Sequence, residues 1–337
     1  MTDLDIIKQI EKELNVKLIK VDDIGFGGGY SLNQNGQVTG ISLFGCRIKK
    51  LNRIISLLKE LRNLGELQLT ANQLSDISPL KALMNLTELN LGGNQLSDIS
   101  PLKELLNLKK LGLSYNRISD ISPLKTLTNL NLLDLRDNQL SDISPLKALT
   151  NLTELCLSNN QISDISPLKA VSKLTILDLS ANHLSNIHPL NALSDLTILD
   201  LTKNPIKELP SWIVDLKMDF KWEHAFFDDI GILLGENPLK IPPVEIVKQG
   251  KEAVKNYFEQ LEKQGKDNIY EAKLMLVGEP GSGKTTLMNL LFDKDFPVPN
   301  KKQKSTLGIE VRQNWGFSID DARDFKAHIW DFGGQQI

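Results

Sequence analysis

The sequence predicts an α/β chain in two parts. The first is a solenoid of 22-residue repeats closed by helical caps, and the second is the N-terminal half of a phosphate-loop α/β domain. Three observations carry this prediction. Asparagine recurs at 72, 94, 116, 138, 160, 182 and 204, one step every 22 residues. Residues 278–285 read Gly-Glu-Pro-Gly-Ser-Gly-Lys-Thr. The last residues include Asp331-Phe-Gly-Gly-Gln335.

The 337 residues suffice for two or three domains. Boundaries are expected as follows: 1–37 an N-terminal helical cap, 38–243 the repeats, 244–268 a C-terminal cap and connecting helix, and 269–337 a partial nucleotide-binding domain. A net charge of -3 argues against a partner recognised through bulk phosphate attraction, such as nucleic acid. Only Cys46 and Cys156 are present, so a disulfide framework is not expected. The opening "MTDLDIIKQIEKELN" has no basic stretch followed by an apolar run, so it does not read as a secretory signal. No apolar run reaches the ~18 residues of a membrane span. A cytoplasmic location is the expectation.

At the N-terminus, Leu4, Ile7, Ile10 and Leu14 recur at spacings of three and four, the stripe of an amphipathic helix. The "GFGGGY" run at 25–30 lacks the third glycine of a dinucleotide fingerprint and reads as a loop. The array begins with "VTGISLFGCRIKKL", where Cys46 holds the asparagine position. Its template, L-x-x-L-x-L-x-x-N-x-L-S-D-I-S-P-L, is that of a leucine-rich repeat. Leu89 and Leu91, two apart on a short strand, point inward. Asn94 sits at the turn, where its amide can bond backbone groups of neighbouring coils. Ser100-Pro101 reads as a helix N-cap and first helical residue. With "IGILLGENPLKIPP" placing Asn237 in the ladder after a longer gap, there are nine units. Residues 211–231 depart from the template and read as an irregular unit. From Ile246 a second amphipathic helix carries Val247, Gly250, Val254, Tyr257, Phe258 and Leu261 on one stripe.

The outward strand positions form two columns. One runs Gln68, Asn90, Gly112, Asp134, Cys156, Asp178, Asp200; the other Glu66, Glu88, Lys110, Leu132, Glu154, Ile176, Ile198. Their C-terminal half mixes carboxylates with apolar residues. Leu132, Asp134, Ile176, Asp178, Ile198 and Asp200 are therefore the candidate surface for a protein partner with basic and apolar groups. His183 and His188 lack metal-ligand spacing and read as surface residues.

Chemistry is concentrated after residue 269. Lys273–Val277 reads as a buried parallel strand, and Leu287, Leu290, Leu291 and Phe292 as a following helix. Between them lies G-x-x-x-x-G-K-[ST], in the strand–loop–helix setting the motif requires. Gly278, Glu279, Pro280, Gly281, Ser282, Gly283, Lys284, Thr285 and Thr286 would wrap the phosphates with backbone N–H groups and a helix N-terminus. Lys284 would reach the β- and γ-phosphates and Thr285 would ligate Mg2+. Thr306, about 20 residues on, stands where a switch threonine closes onto Mg2+ and the γ-phosphate. Asp331 would hold Mg2+, the Gly334 N–H would sense the γ-phosphate, and Gln335 would orient the attacking water as the catalytic residue. Lys301, Lys302 and Lys304 read as a solvated charge run.

Taken with the array and the segment "NPLKIPPVEIVKQGKEAVKNYF", the stretches "LMLVGEPGSGKTTL", "TLGIEV" and "IWDFGGQ" resemble the Roco family. Its members join leucine-rich repeats to a Ras-of-complex-proteins (Roc) GTPase domain and a dimerising C-terminal-of-Roc module. The resemblance implies a signalling protein of bacterial type that binds GTP or GDP with Mg2+. In bacterial members, nucleotide shifts a monomer–dimer balance through the C-terminal module. A Ras-like domain also carries an N-K-x-D box that reads guanine, and no such box follows Asp331. A domain interrupted within its sheet is therefore expected. The alternatives are a stand-alone repeat protein with an inert remnant, an ATP-using phosphate-loop protein, and an exported adhesin sharing the 22-residue repeat.

Overall fold

In the computed structural model the described residues are 1–25, 27–222, 230–264, 271–276, 282–293, 295–296, 309–318 and 324–332. They fall into two compact units, Met1–Gln260 and Leu261–Ile337.

The first unit opens with α1 (Asp3–Leu14), whose N-terminus is closed by a capping box between Thr2 and Asp5. Next come β1 (Ile19–Lys20), β2 (Gly29–Leu32), β3 (Val38–Ser42) and α2 (Ile55–Glu60). Seven three-residue strands then repeat at 22-residue intervals. They are β4 (Glu66–Gln68), β5 (Glu88–Asn90), β6 (Lys110–Gly112), β7 (Leu132–Asp134), β8 (Glu154–Cys156), β9 (Ile176–Asp178) and β10 (Ile198–Asp200). β11 (Phe220–Lys221) and β12 (Gly231–Leu233) complete a twelve-strand sheet ordered β1 to β10, then β12, then β11. Neighbouring strands are parallel except β2 and β3.

The repeat pattern explains the coils. The middle residue of each strand points inward and stacks on its counterpart, Leu89 beside Leu67 and Leu111. Leu91, Leu96, Leu102, Leu105 and Leu108 turn inward from the rest of the same coil and are buried. Each such leucine contributes roughly 1.5–3 kcal/mol of apolar burial. No coil closes its core alone, so stability comes from stacking. A single continuous core runs from Ile6 to Val254.

The ladder asparagines work as the spacing predicts. Asn94 Nδ2 donates to Leu91 O at 2.8 Å in its own coil and to Leu69 O at 3.1 Å in the preceding one. Its Oδ1 accepts from Leu74 N at 3.0 Å. The residue before each ladder position takes a left-handed conformation: Gly45, Ala71, Gly93, Tyr115, Asp137, Asn159, Ala181, Lys203 and Glu236.

The convex side corrects one expectation. Ser100 is not the N-cap; it is the first residue of a 3-10 turn, Ser100–Glu104, and Ile99 occupies the cap position without a side-chain bond. Asp98 does the capping instead. Its Oδ1 accepts from Ser100 N at 2.8 Å and its Oδ2 from the Ser100 hydroxyl at 3.1 Å. This is an Asx turn, favoured because proline follows serine and supplies no N–H of its own. Asp76, Asp120, Asp142 and Asp164 repeat it. These bonds, with serine N–H and hydroxyl both donating, hold the Asp76, Asp120 and Asp164 carboxyls below their ordinary range.

Both ends differ from the expected caps in detail. In α1 the buried residues are Ile6, Ile7 and Ile10, while Leu4 is exposed. The N-terminal cap is not purely helical, since β1 and β2 extend the sheet beyond the first repeat. Gly29 and Tyr30, inside the run read as a loop, begin β2. The irregular unit has a simple form: β12 continues the array beside β10, while β11 lies outside β12 at the edge. Asn237 resumes the ladder, donating to Leu201 O at 2.8 Å. The C-terminal stripe is two helices, α3 (Val244–Val247) and α4 (Lys251–Gln264). Gly250, at φ +93°, breaks them apart, and Asp219 Oδ1 accepts from Lys251 N at 3.1 Å.

The second unit holds β13 (Glu271–Leu276), α5 (Lys284–Phe292), β14 (Ile309–Ser318) and β15 (Asp324–Phe332). Its sheet is ordered β13-β15-β14, with β13 parallel and β14 antiparallel to β15.

Candidate functional site

In the second unit the sequence builds a phosphate-loop frame. β13 is followed by α5, and the chain returns through β14 to β15, parallel to β13. Leu276, the last residue of β13, is registered beside Asp331. The two parallel strands therefore finish side by side, at the edge where open α/β sheets take ligands. Gly283 caps α5 in the left-handed region, φ 85° and ψ 12°. Among the described residues, a Cβ built on it meets no heavy atom within 4 Å. Lys284, Thr285 and Thr286 form the first turn of α5, where backbone N–H groups have no intrahelical acceptor and the dipole favours anions. Lys284 Nζ donates to Ser282 Oγ at 3.4 Å, folding the ammonium back toward the loop. A left-handed glycine, a helix start, an ammonium and hydroxyls form a donor set suited to a nucleotide's phosphates and Mg2+. Gly278, Glu279, Pro280, Gly281, Thr306, Gly334 and Gln335 lie outside the described residues.

In the first unit the outward columns form a concave strand face. The register aligns Glu66, Glu88, Lys110, Leu132, Glu154, Ile176 and Ile198 in one row, and Gln68, Asn90, Gly112, Asp134, Cys156, Asp178 and Asp200 in the next. The candidate partner residues are less available than their column suggests. Leu132, Ile176 and Ile198 are half-buried rather than exposed. Asp134 is held by Arg136, whose Nε and Nη2 donate to its two oxygens at 2.9 and 2.8 Å. Asp178 accepts from Ser180 N at 3.0 Å and from its hydroxyl at 2.7 Å. Asp200 is buried and bound in the same way by Thr202. Each carboxylate is claimed by the residue two positions on. Cys156 sits between Asp134 and Asp178, and burial, with those charges, pushes its thiol up to about 12. His188 accepts from Trp212 Nε1 at 3.3 Å, a packing role.

Comparison with known proteins follows the same division. Residues 62–192 match, in overlapping stretches, a model described as Leucine Rich repeats (2 copies). Residues 273–337 match the model described as Ras of Complex, Roc, domain of DAPkinase. The chain has a Roco-type arrangement. It is 37% identical over 115 residues to a probable serine/threonine-protein kinase, pats1, of Dictyostelium discoideum, covering 29% of this chain and 4% of that protein. It is 32% identical over 117 residues to a Roc-COR-CHAT protease of an unknown prokaryotic organism, covering 31% of this chain and 11% of that one. The chain thus spans only a small part of the curated relatives it matches. A leucine-rich-repeat protein of Leptospira interrogans shares the repeat fold at 24% identity and a TM-score of 0.50, over 66% of this chain and 58% of that one.

Within this Roco-type chain, sequence reasoning passed over the N-terminal half of the concave face. A groove of about 180 Å³ lies there, lined by Glu66, Gln68, Glu88, Asn90, Lys110 and their neighbours. Gly112 was its signal, the one residue without a side chain in a column of larger ones. A Cβ there would lie 2.6 Å from Asn90 Oδ1, so glycine makes room for the Asn90 side chain on the groove floor.

Proposed function

We propose that this chain is a GTP-binding signalling protein of Roco type, whose repeat array docks a protein partner and whose Roc segment holds GTP or GDP with Mg2+. The observation that carries the nucleotide reading is the left-handed Gly283 at the start of α5, within the segment matched by the Roc model. Gly278 through Thr286 would cradle the phosphates, with Lys284 neutralising their charge. Thr285, Thr306 and Asp331 would hold Mg2+, which supplies charge neutralisation between the phosphates. Gly334 would report the γ-phosphate through its N–H, and Gln335 would orient the hydrolytic water. A cytoplasmic location follows from dependence on guanine nucleotide, and no described helix is long and apolar enough to cross a membrane.

Docking falls to the concave face. Support comes from its rows of half-buried Leu132, Ile176 and Ile198 beside Asp134, Asp178 and Asp200. Since those carboxylates are already hydrogen-bonded, their part is to fix orientation, and the apolar rows supply the contact area.

Titration of the chain with fluorescent GDP and Mg2+ tests the nucleotide reading. The expected result is saturable binding at micromolar concentration or below, lost in Lys284→Ala. Absence of saturable binding would leave a repeat protein with an inert remnant.

A further inference from the structure

The groove at the N-terminal half of the concave face carries more charge than it balances. Glu66 and Glu88 stand side by side on β4 and β5. Lys110 Nζ pairs with Glu88 Oε1 at 3.0 Å. Among the described residues no cation pairs with Glu66. In the adjacent row of the same face Gln68 is only 8% exposed. Its Oε1 accepts from the Thr70 hydroxyl at 2.6 Å, while its Nε2 donates to no described residue. A buried amide without an acceptor is costly. The groove thus has a carboxylate short of a cation and a buried donor short of an acceptor. Its volume, about 180 Å³, is below the ~300–1,000 Å³ of cofactor pockets and suits one long side chain.

We propose that this groove seats a single arginine or lysine side chain of an extended partner peptide, with Glu66 and Glu88 gripping the cation and the Gln68 amide donating to a peptide carbonyl. The proposal rests on the docking reading and gives the partner a chemistry. It also makes docking sensitive to pH. Burial, then Glu88 and the nearby Asp23, push the Glu66 carboxyl up to about 7, and Lys110 opposes them. β3, the other strand beside β4, contributes only Gly40 to this row. A bound cation favours the ionised form, so binding expels a proton and strengthens as pH rises through neutrality.

The test titrates the full chain with the blocked peptide Ala-Ala-Arg-Ala-Ala and its norleucine counterpart, following backbone amide shifts by NMR. The arginine peptide is expected to shift Glu66, Gln68 and Gly112 saturably, and the norleucine peptide to leave them unmoved. Glu66→Gln should weaken binding about tenfold. Moving from pH 8 to pH 6 should weaken wild type by roughly the same factor, one decade per unit below the carboxyl's value, and leave Glu66→Gln nearly unchanged. Saturable shifts confined to the rows around Ile176 and Ile198, outside the groove lining, would overturn the groove and leave concave-face docking standing. Equal response to the norleucine peptide would overturn the charge recognition. No saturable shift anywhere would count against both.

Discussion

Replacing Asn138 by alanine measures what the internal ladder is worth. Asn138 Nδ2 donates to Leu113 O, Leu135 O and Arg136 O at 3.0, 3.1 and 3.1 Å. Its Oδ1 accepts from Ile118 N at 3.0 Å. The three carbonyls keep other donors in the variant: Asn116 at Leu113 O, Asn160 at Leu135 O, and Tyr115 N at Arg136 O. Ile118 N–H keeps none of this kind and is left buried without an acceptor. That orphan costs about 1–3 kcal/mol, and the lost net worth of the remaining bonds adds about 1 kcal/mol. The expected destabilisation is therefore roughly 2–4 kcal/mol, concentrated at one coil-to-coil interface. Asn151→Ala is the control. Its exposed amide donates to Thr128 O at 3.0 Å and accepts from Lys173 Nζ at 2.9 Å, both exposed contacts, and their loss should cost less than about 1 kcal/mol. Urea unfolding followed by circular dichroism reads both. If Asn138→Ala falls within ~0.5 kcal/mol of Asn151→Ala, the ladder argument is wrong.

Three more predictions follow from the same coils. Tyr115 is 62% exposed at φ 54°, so Tyr115→Gly should raise stability by about 1 kcal/mol in the same unfolding assay, and a decrease would show that the side chain packs. Asp76, Asp120 and Asp164 have lowered carboxyls, so their stabilisation is complete above the ordinary carboxylate range and is lost as pH falls through their folded values. Converting all three to asparagine, which keeps an acceptor oxygen, should flatten the acid limb of the stability profile. Glu66 has the opposite sign. Its raised carboxyl makes the folded state progressively less favourable as pH climbs from the ordinary carboxylate value toward about 7, so Glu66→Gln should be the more stable protein at pH 8 and lose that advantage in acid.

The array was legible because each position is set by its own coil. Leucines two apart on a strand, an asparagine at the turn and a 22-residue step fix the core, the ladder and the parallel register together. Features that depend on neighbours two residues away, or on distant chain, were not legible. Ser100-Pro101 looked like a cap and first turn, yet Asp98 supplies the capping oxygen. Asp178 and Asp200 looked like free carboxylates, yet Ser180 and Thr202 bind them. Gly250 counted as one more member of a helical stripe, although its positive φ divides α3 from α4. The contact of Asp219 with Lys251 joins residues 32 apart in sequence, which no local pattern announces. At the candidate nucleotide site the strand–loop–helix frame could be read from the motif, and β13, Gly283 and α5 follow it. The antiparallel course of β14 could not, since "GIEV" carries no sign of direction. On the concave face, the sequence named the columns but not the groove in their N-terminal half, because the half-burial of Glu66 and the burial of Gln68 depend on how adjacent coils crowd them.

The measurement that bears most directly on the central claim is binding of labelled GDP by the full 337-residue chain, with and without Mg2+. Saturable binding that needs Mg2+ and disappears in Lys284→Ala, while the repeat array of that variant unfolds at the wild-type urea concentration, is the predicted result. Binding that is absent, or that survives Lys284→Ala unchanged, would contradict a nucleotide held at the start of α5.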